Sequence, residues 1–183
     1  MLKLRLSELQ QRYTLGERDF SNLDLSDLDL SGLNLEGINV RGSNLQGVNL
    51  QGTHLEQANL KGVHLSYCNL YRSNLYGAKL RNVNLFRSNL TEANLHSASI
   101  LNTCLDYACL EKTDLSEAYL RNVSVKCTTL IKTDLTDSVL VDVNLSQSYI
   151  SQIYYSNITG LHNCFKPETI SEEFFENVEF IKG

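Results

Sequence analysis

The sequence predicts an all-β fold: a quadrilateral parallel β-helix with four pentapeptides in each coil and a short capping helix at both ends. Three observations predict it. An apolar residue recurs at every fifth position from Phe20 to Ile150, and 22 of these 27 positions are Leu. A small or medium-sized side chain stands two residues before most of them, and residues twenty apart resemble one another most.

Composition restricts the class of protein. The 183 residues are 42% hydrophobic with one Pro, which excludes a disordered chain and a collagen-like fibre and predicts one domain with a small extension. A net charge of -5 is too mild and of the wrong sign for a general nucleic-acid binder. No apolar run is long enough to span a membrane, and residues 1–16 lack the apolar core of a signal peptide. Five cysteines, an odd number without paired spacing, favour a reducing compartment, so we expect a cytoplasmic protein.

Residues 1–15 are predicted to form an N-terminal helical cap. Ser7-Glu8-Leu9-Gln10 has the pattern of a capping box, and Gly16 is a helix stop, so we expect a helix over about residues 7–14. This helix is expected to lie over the first coil. Four repeats of that coil carry a large side chain two residues before the fifth-position apolar residue, where later repeats carry a small one. These are Leu23, Leu28, Leu33 and Ile38.

Residues 16–155 are predicted to form the β-helix, because a period of five suits neither ordinary element. On an α-helix each step of five advances about 500°, which spreads the Leu residues over every face. On a continuous strand an odd period alternates them between two faces. Short extended pieces separated by corners resolve the conflict. We call the Leu position i; Gly recurs at i+2, which indicates a corner where the backbone sometimes needs positive φ.

Similar residues recur at intervals of twenty, and we call each such series a column. These columns predict a coil of twenty residues. One column is Ala58, Ala78, Ala98 and Ala118. Asn or Asp recurs at i−1, where side-chain amides hydrogen-bond to turn backbone, so we interpret these residues as scaffold.

Residues 156–183 are predicted to form a C-terminal helical cap. Gly160 stands where Leu is expected, and Ser171 is a helix-capping residue before a predicted helix at Glu172–Asn177. Phe174 and Phe175, together with Phe180, either cover the end of the stack or form a dimer interface. Both interpretations remain open, and we expect a monomer.

The repeat unit resembles the pentapeptide-repeat family, whose motif is A(D/N)LXX. Ala58-Asn59-Leu60, Ser88-Asn89-Leu90 and Ala93-Asn94-Leu95 match it, and the resemblance covers residues 16–150. It implies a right-handed quadrilateral β-helix with Leu stacked along the axis, and it implies little about activity. The helical segment followed by an uninterrupted repeat is most similar to cyanobacterial members of the family.

The sequence contains no motif of an enzyme. It has no phosphate-binding loop, dinucleotide fingerprint, zinc spacing or nucleophile elbow, so we expect no catalytic residue, cofactor or metal. His54 and His64 occupy the same position of the pentapeptide but lie on opposite sides of the square. The cysteines are interpreted as small hydrophobic residues of a reduced protein.

A column of aromatic residues and arginine marks a candidate protein-binding surface. Tyr67, Arg87 and Tyr107 stand twenty apart at i+2, with Phe86 beside Arg87, and we expect Arg87 to lie between the two tyrosine rings. Further candidates lie round the next corners; they are Tyr71, Arg72 and Tyr76. Such residues are typical of binding surfaces, although ring stacking that only stabilises the coils remains an alternative. The acidic alternative surface consists of Glu36, Glu56, Glu117 and Asp137.

The leading functional interpretation is a non-catalytic protein-interaction scaffold with an unknown protein partner. The alternative, which rests on the resemblance, is mimicry of DNA and protection of a type II topoisomerase such as DNA gyrase. Two features disfavour it: no loop interrupts residues 20–150, and a basic stripe crosses the repeat, formed by Arg41, Lys61, Arg81 and Arg121. We expect neither direct nucleic-acid binding nor membrane binding.

Overall fold

The computed structural model describes residues 1–162 and 164, and these form a parallel β-solenoid of about eight coils. Parallel backbone pairs join residues twenty apart, from Asp19–Asn39 to Asp134–Tyr154. The Leu85 N–H, for example, donates to the carbonyl of Cys104 in the next coil at 2.8 Å. The predicted coil of four pentapeptides is therefore confirmed.

Each coil has four corners, and each corner holds the i+1 and i+2 residues of one pentapeptide. We define the four corners by their residues in the coil that begins at Leu80. Each corner name also includes the equivalent residues of the other coils, which lie at intervals of twenty. Corner A holds Arg81 and Asn82, corner B Phe86 and Arg87, corner C Thr91 and Glu92, and corner D His96 and Ser97.

Most of the repeat is made of isolated β-bridges, and longer strands form mainly at corner A. Parallel strands β3, β4, β5, β7 and β9 form one sheet there, β6 pairs with β8, and β1 pairs with β2. The elements are β1 (Leu2–Lys3), α1 (Leu6–Thr14), β2 (Leu23–Asp24), β3 (Lys79–Arg81), β4 (Ser99–Leu101), β5 (Tyr119–Ser124), β6 (Thr129–Ile131), β7 (Val139–Asn144), β8 (Tyr149–Ser151) and β9 (Thr159–His162).

Positive φ at i+2 turns the chain at every corner from residue 22 to residue 157. Most corners also have the hydrogen bond of a β-turn, in which the backbone N–H three residues after the Leu donates to the Leu carbonyl. The Ser88 N–H, for example, donates to the Leu85 carbonyl at 3.1 Å. Arg87 has φ 56° and Lys112 has φ 54°, so the position is not reserved for glycine. Because both flanking edges are held by neighbouring coils, the corner tolerates large side chains in a conformation they otherwise avoid.

The core is formed by the i and i−2 side chains. The Leu residues at i are buried along the axis, and the small residues at i−2 are buried beside them. Most buried hydroxyls at i−2 donate to a carbonyl of the previous coil, as Thr113 Oγ1 does to Leu90 at 2.8 Å and Thr53 Oγ1 to Leu30 at 2.8 Å, and Ser73 Oγ donates to Leu70 within its own coil. A polar residue is therefore accommodated in the core at this position without an unpaired group.

The Asn residues at i−1 are scaffold, as predicted. The Asn89 side-chain oxygen accepts the Thr91 backbone N–H at 3.1 Å, two residues ahead, which stabilises the corner. Between coils, the amide of Asn69 donates to the side-chain oxygen of Asn49 at 3.1 Å.

The predicted N-terminal helix is present, but its first residue differs from the expectation. Helix α1 begins at Leu6, its N-cap residue is Arg5, and no side chain caps it, so the assignment of Ser7 as the cap is wrong. The preceding strand β1 explains this, because Leu4 N–H donates to Asp24 at 3.0 Å and the chain turns into the helix immediately afterwards. Gly16 has φ 93° and ends the helix as expected.

Helix α1 covers the first coil. Leu9 is buried in the core, and the Tyr13 hydroxyl donates to the Glu36 carbonyl at 2.8 Å. The oversized i−2 residues of this coil belong to the same core: Ile38 is buried, and three others are half-buried against it, namely Leu23, Leu28 and Leu33.

The regular register ends near Gly160, where the predicted phase break lies. Strand β9 still pairs with β7, but a bulge shifts the register between Val139 and Val141, and Gly160 has φ 73°. Strand pairing therefore continues to His162, beyond the expected limit of the repeat at residue 155. The predicted helix Glu172–Asn177 and the three C-terminal phenylalanines lie outside the described residues.

Candidate protein-binding surface

Corner B carries a continuous cluster of aromatic rings. The Tyr67 and Phe86 rings meet edge to face with centroids 5.9 Å apart and an interplanar angle of 78°. The Phe86 and Tyr107 rings meet in the same way at 5.5 Å and 68°. The rings thus extend across three successive coils.

Arg87 lies over two rings of this cluster, but not the two expected. Its guanidinium carbon is 5.5 Å from the centroid of Tyr107 and 5.3 Å from that of Phe86. Phe86, and not Arg87, is therefore the side chain that lies between Tyr67 and Tyr107. The reason is that Phe86 at i+1 and Arg87 at i+2 share one corner, and the flat ring fills the space between the two tyrosines.

The cluster is accessible from solvent. Tyr67 is 54% exposed and Tyr107 is 52% exposed, whereas Phe86 is half-buried beneath them. A hydrogen bond with Cys127, one coil further along the column, raises the pKa of Tyr107. Corner B presents apolar ring surface, two phenol hydroxyls and one cation.

The other candidate residues lie round the next corners and make local pairs. At corner C, the Arg72 guanidinium lies 4.9 Å from the Tyr71 ring centroid and bonds to Glu92 at 2.6 Å. That hydrogen bond lowers the pKa of Glu92, which also contacts Lys112 at 3.4 Å. Arg72 is therefore engaged in an ion-pair ladder and contributes less free charge than Arg87.

Tyr76 lies at corner D, where it stacks on His96 with centroids 5.6 Å apart and planes 13° apart. The binding surface predicted from the sequence did not contain His96 or Cys127. His96 stands twenty residues after Tyr76, and Cys127 stands twenty residues after Tyr107. The period of twenty is therefore the sequence signal that could have identified both.

Two carboxylates of the acidic alternative surface at corner D are engaged by neighbouring side chains. Glu56 Oε1 contacts His54 Nδ1 at 3.0 Å and accepts from Asn74 Nδ2 at 2.6 Å, and its Oε2 is buried without a hydrogen-bond partner. Glu117 contacts His96 Nε2 at 3.6 Å. These contacts occupy carboxylate oxygens that a partner would otherwise contact.

One contact has the composition of a nucleophile–base pair, but its hydroxyl donates to a carboxylate. Ser116 Oγ lies 2.8 Å from His96 Nδ1 and donates its proton to Asp114 Oδ1 at 2.5 Å. Because a hydroxyl has one proton and the carboxylate holds it, His96 does not withdraw a proton from Ser116. The arrangement is a structural hydrogen-bond network.

The part of the chain that the structure describes contains neither a cluster of metal-ligating side chains nor a membrane-spanning helix. Within residues 1–162 and 164, no group of three His, Cys, Asp or Glu side chains could hold a metal ion. None of the helices among these residues has the length and apolar character needed to cross a membrane.

Comparisons with known proteins agree with the architecture. A family model described as pentapeptide repeats matches residues 43–82, 78–116 and 113–152, in 8 copies. No curated protein sequence matches the chain.

Several solved structures are similar in fold. HetL, a pentapeptide repeat protein involved in heterocyst differentiation regulation in the cyanobacterium Nostoc sp. strain PCC 7120, is 20% identical, with 88% of this chain and 94% of that chain covered and a TM-score of 0.36. A second pentapeptide repeat protein from Nostoc is 19% identical over 97% and 96%, with a TM-score of 0.35. A trypsin-treated variant of QnrB1, a plasmid-mediated fluoroquinolone resistance protein, is 19% identical over 77% and 86%, with a TM-score of 0.34.

Proposed function

Because the chain belongs to the pentapeptide-repeat family, we propose that it is a non-catalytic interaction scaffold that binds a protein partner through corner B. The observation that carries the proposal is the exposed cluster of Tyr67, Phe86, Arg87 and Tyr107. Tyr and Arg are enriched among residues that dominate binding energy at protein interfaces.

The solenoid holds this cluster in place before any partner arrives. The backbone on both sides of each corner is hydrogen-bonded to neighbouring coils, as when the Arg87 N–H donates to Asp106 at 3.0 Å and the Tyr67 N–H to Phe86 at 3.0 Å. Rings that are already ordered lose little conformational entropy on binding, which favours affinity.

The alternative role of the rings, stabilisation of one coil on the next, accounts for only part of their surface. Edge-to-face pairs contribute about 0.5–1.5 kcal/mol each beyond the area they bury. That role requires contact between rings, whereas about half of Tyr67 and of Tyr107 faces solvent. The exposed half is the surface that a partner would cover.

The distribution of charge does not favour mimicry of DNA. A mimic of the duplex needs a continuous negative surface. Here corner A carries a line of cations, and at corner C the cations Arg72 and Lys112 flank Glu92.

A pair of matched variants tests the proposal. Phe86→Ser combined with Arg87→Glu is expected to abolish capture of the native partner from source-cell lysate, with little change in the thermal melting curve. Glu117→Lys combined with Asp137→Lys alters the opposite corner and is expected to leave capture intact. The reverse result would place the site at corner D, and loss of folding in the first variant would assign the rings to coil stability alone.

A further inference from the structure

Corner A carries a straight line of cations on the outside of the solenoid. Arg41, Lys61, Arg81 and Arg121 all occupy i+1, and Leu101 takes that position between the last two. The sheet sets their spacing, because Arg81 pairs with Leu101 and Leu101 with Arg121 in register across β3, β4 and β5. Neighbouring parallel strands lie about 4.8 Å apart, so the Arg81 and Arg121 backbones are separated by about 10 Å.

These cations have no acidic partner within residues 1–162 and 164. Corner C, which is diagonally opposite, differs in this respect: there Arg72 and Lys112 both pair with Glu92. The same fold therefore pairs two cations with a carboxylate at corner C and leaves the cations of corner A available. An array of unpaired cations attracts an anionic group with less competition from its own protein.

Two open grooves flank this line of cations. One, of about 460 Å³, is lined by Arg81, Leu101, Tyr119 and Arg121 together with the amides of Asn102 and Asn122. The other, of about 510 Å³, lies on the face towards corner B and includes Lys126. Both also include Asp142, which lies beyond Asn122 in the i+2 column and ends the cationic region.

We propose that corner A is a second docking site, which binds an acidic segment of a partner protein. Two carboxylates of that segment pair with Arg81 and Arg121, and an apolar side chain between them contacts Leu101. The site is separate from corner B and does not depend on the function proposed for that corner.

The observations favour an acidic polypeptide over a nucleic acid. The four cations at i+1 form a single column that an apolar residue interrupts, with Lys79 beside Arg81, and a carboxylate lies in both flanking grooves. A duplex carries a phosphate charge about every 1.7 Å along its axis, so binding it requires a broad field of cations. A peptide with an apolar residue between two acids matches the alternation of charge and apolar surface.

The test uses the full chain and a fluorescein-labelled peptide of repeated Glu-Glu-Leu units, with binding measured by fluorescence anisotropy. Arg81→Glu combined with Arg121→Glu is expected to weaken peptide binding by about tenfold or more. The matched control, Lys112→Glu combined with Lys132→Glu, makes the same change in net charge at corner C and is expected to leave binding within about twofold.

A third variant changes binding in the opposite direction. Asp142→Asn removes the carboxylate from both grooves and retains a residue that tolerates positive φ, so it is expected to strengthen binding several-fold. The corner B variant Phe86→Ser with Arg87→Glu is expected to bind the peptide as the unaltered protein does, which separates failure at one corner from failure at the other.

Four outcomes would overturn the proposal. They are no peptide binding by the unaltered protein at low salt, equal loss in the corner A and corner C variants, equal binding of a peptide in which Gln replaces Glu, and tighter binding of a DNA duplex than of the peptide. Circular dichroism of each variant shows whether a loss reflects the site or the fold.

Discussion

The Asn102 side-chain amide donates to the side-chain oxygen of Asn82, twenty residues earlier, at 3.0 Å. Asn122 donates to Asn102 in the same way at 3.1 Å, so the i+2 column of corner A forms a ladder of amides. The ladder stops at Gly62, whose φ of 71° is also positive but which has no side chain.

The first prediction extends this ladder by one rung. Gly62→Asn is expected to raise the free energy of unfolding by up to about 1 kcal/mol, because the restricted unfolded chain and the new acceptor for Asn82 outweigh the strain of Asn at positive φ. A Cβ added at Gly62 meets only Gly42 at 4.0 Å, so the space is present. The measurement is urea unfolding. Gly62→Val is the control and is expected to destabilise, since a β-branched residue is strained at this φ; destabilisation by both would contradict the prediction.

The second prediction concerns the Leu column at the axis. Leu85→Ala is expected to lower the free energy of unfolding by about 2–5 kcal/mol, because it leaves a cavity in a core that neighbouring coils share. Lys112→Gln changes an exposed i+2 side chain and is expected to cost no more than about 0.5 kcal/mol. Comparable losses for the two variants in urea would show that the axis is not the core.

Features that recur along the chain could be predicted from the sequence. The coil of twenty, the burial of i and i−2 and the role of the i−1 amides each depend on a contact between equivalent residues of successive coils. A repeated pattern therefore shows the contact directly, as the Asn49–Asn69 hydrogen bond does.

Features that occur once could not be predicted in the same way. Strand β1 pairs with β2 across about twenty residues of intervening chain, and nothing in the sequence of Leu2 and Lys3 indicates that pairing. It moves the helix start to Leu6, so the local capping pattern at Ser7 is overridden. At corner B the period placed the side chains correctly, but the order of Tyr67, Phe86 and Arg87 depends on side-chain rotamers, which a period does not specify.

The third prediction concerns acid stability. Three carboxylates occupy i−1 in the first coil, where later coils mostly carry Asn, and the pKa of each is lowered by hydrogen bonds from the serine two residues later. They are Asp19, Asp24 and Asp29. A carboxyl whose pKa is lower in the folded state than in the unfolded state stabilises the fold at pH values above its unfolded pKa, about 4. That stabilisation is lost as the pH falls through the pKa of the folded state.

Replacement of all three by Asn is therefore expected to flatten the acid limb of the stability curve. The amide keeps the side-chain oxygen that accepts from Asn39, Asn44 and Asn49 in the next coil, so the fold at pH 7 is retained. The urea midpoint of the unaltered protein should fall more steeply below about pH 4 than that of the triple variant. Parallel curves would show that these carboxylates do not govern acid unfolding.

The last prediction concerns the thiols. Cys68 is buried at i−2, where its thiol contacts the Leu45 carbonyl at 2.9 Å, and burial raises its pKa to about 11. Since the thiolate is the reactive form, only about one Cys68 in a thousand is ionised at pH 8, and the side chain is shielded as well. Labelling of Cys68 in the native protein should therefore proceed only through unfolding, and its rate should fall as stabilising sucrose is added. Cys127, which is partly exposed at corner B, should react first. All five thiols should react in denaturant without reductant; fewer would reveal a disulfide, and equal native rates at Cys68 and Cys127 would contradict the burial of Cys68.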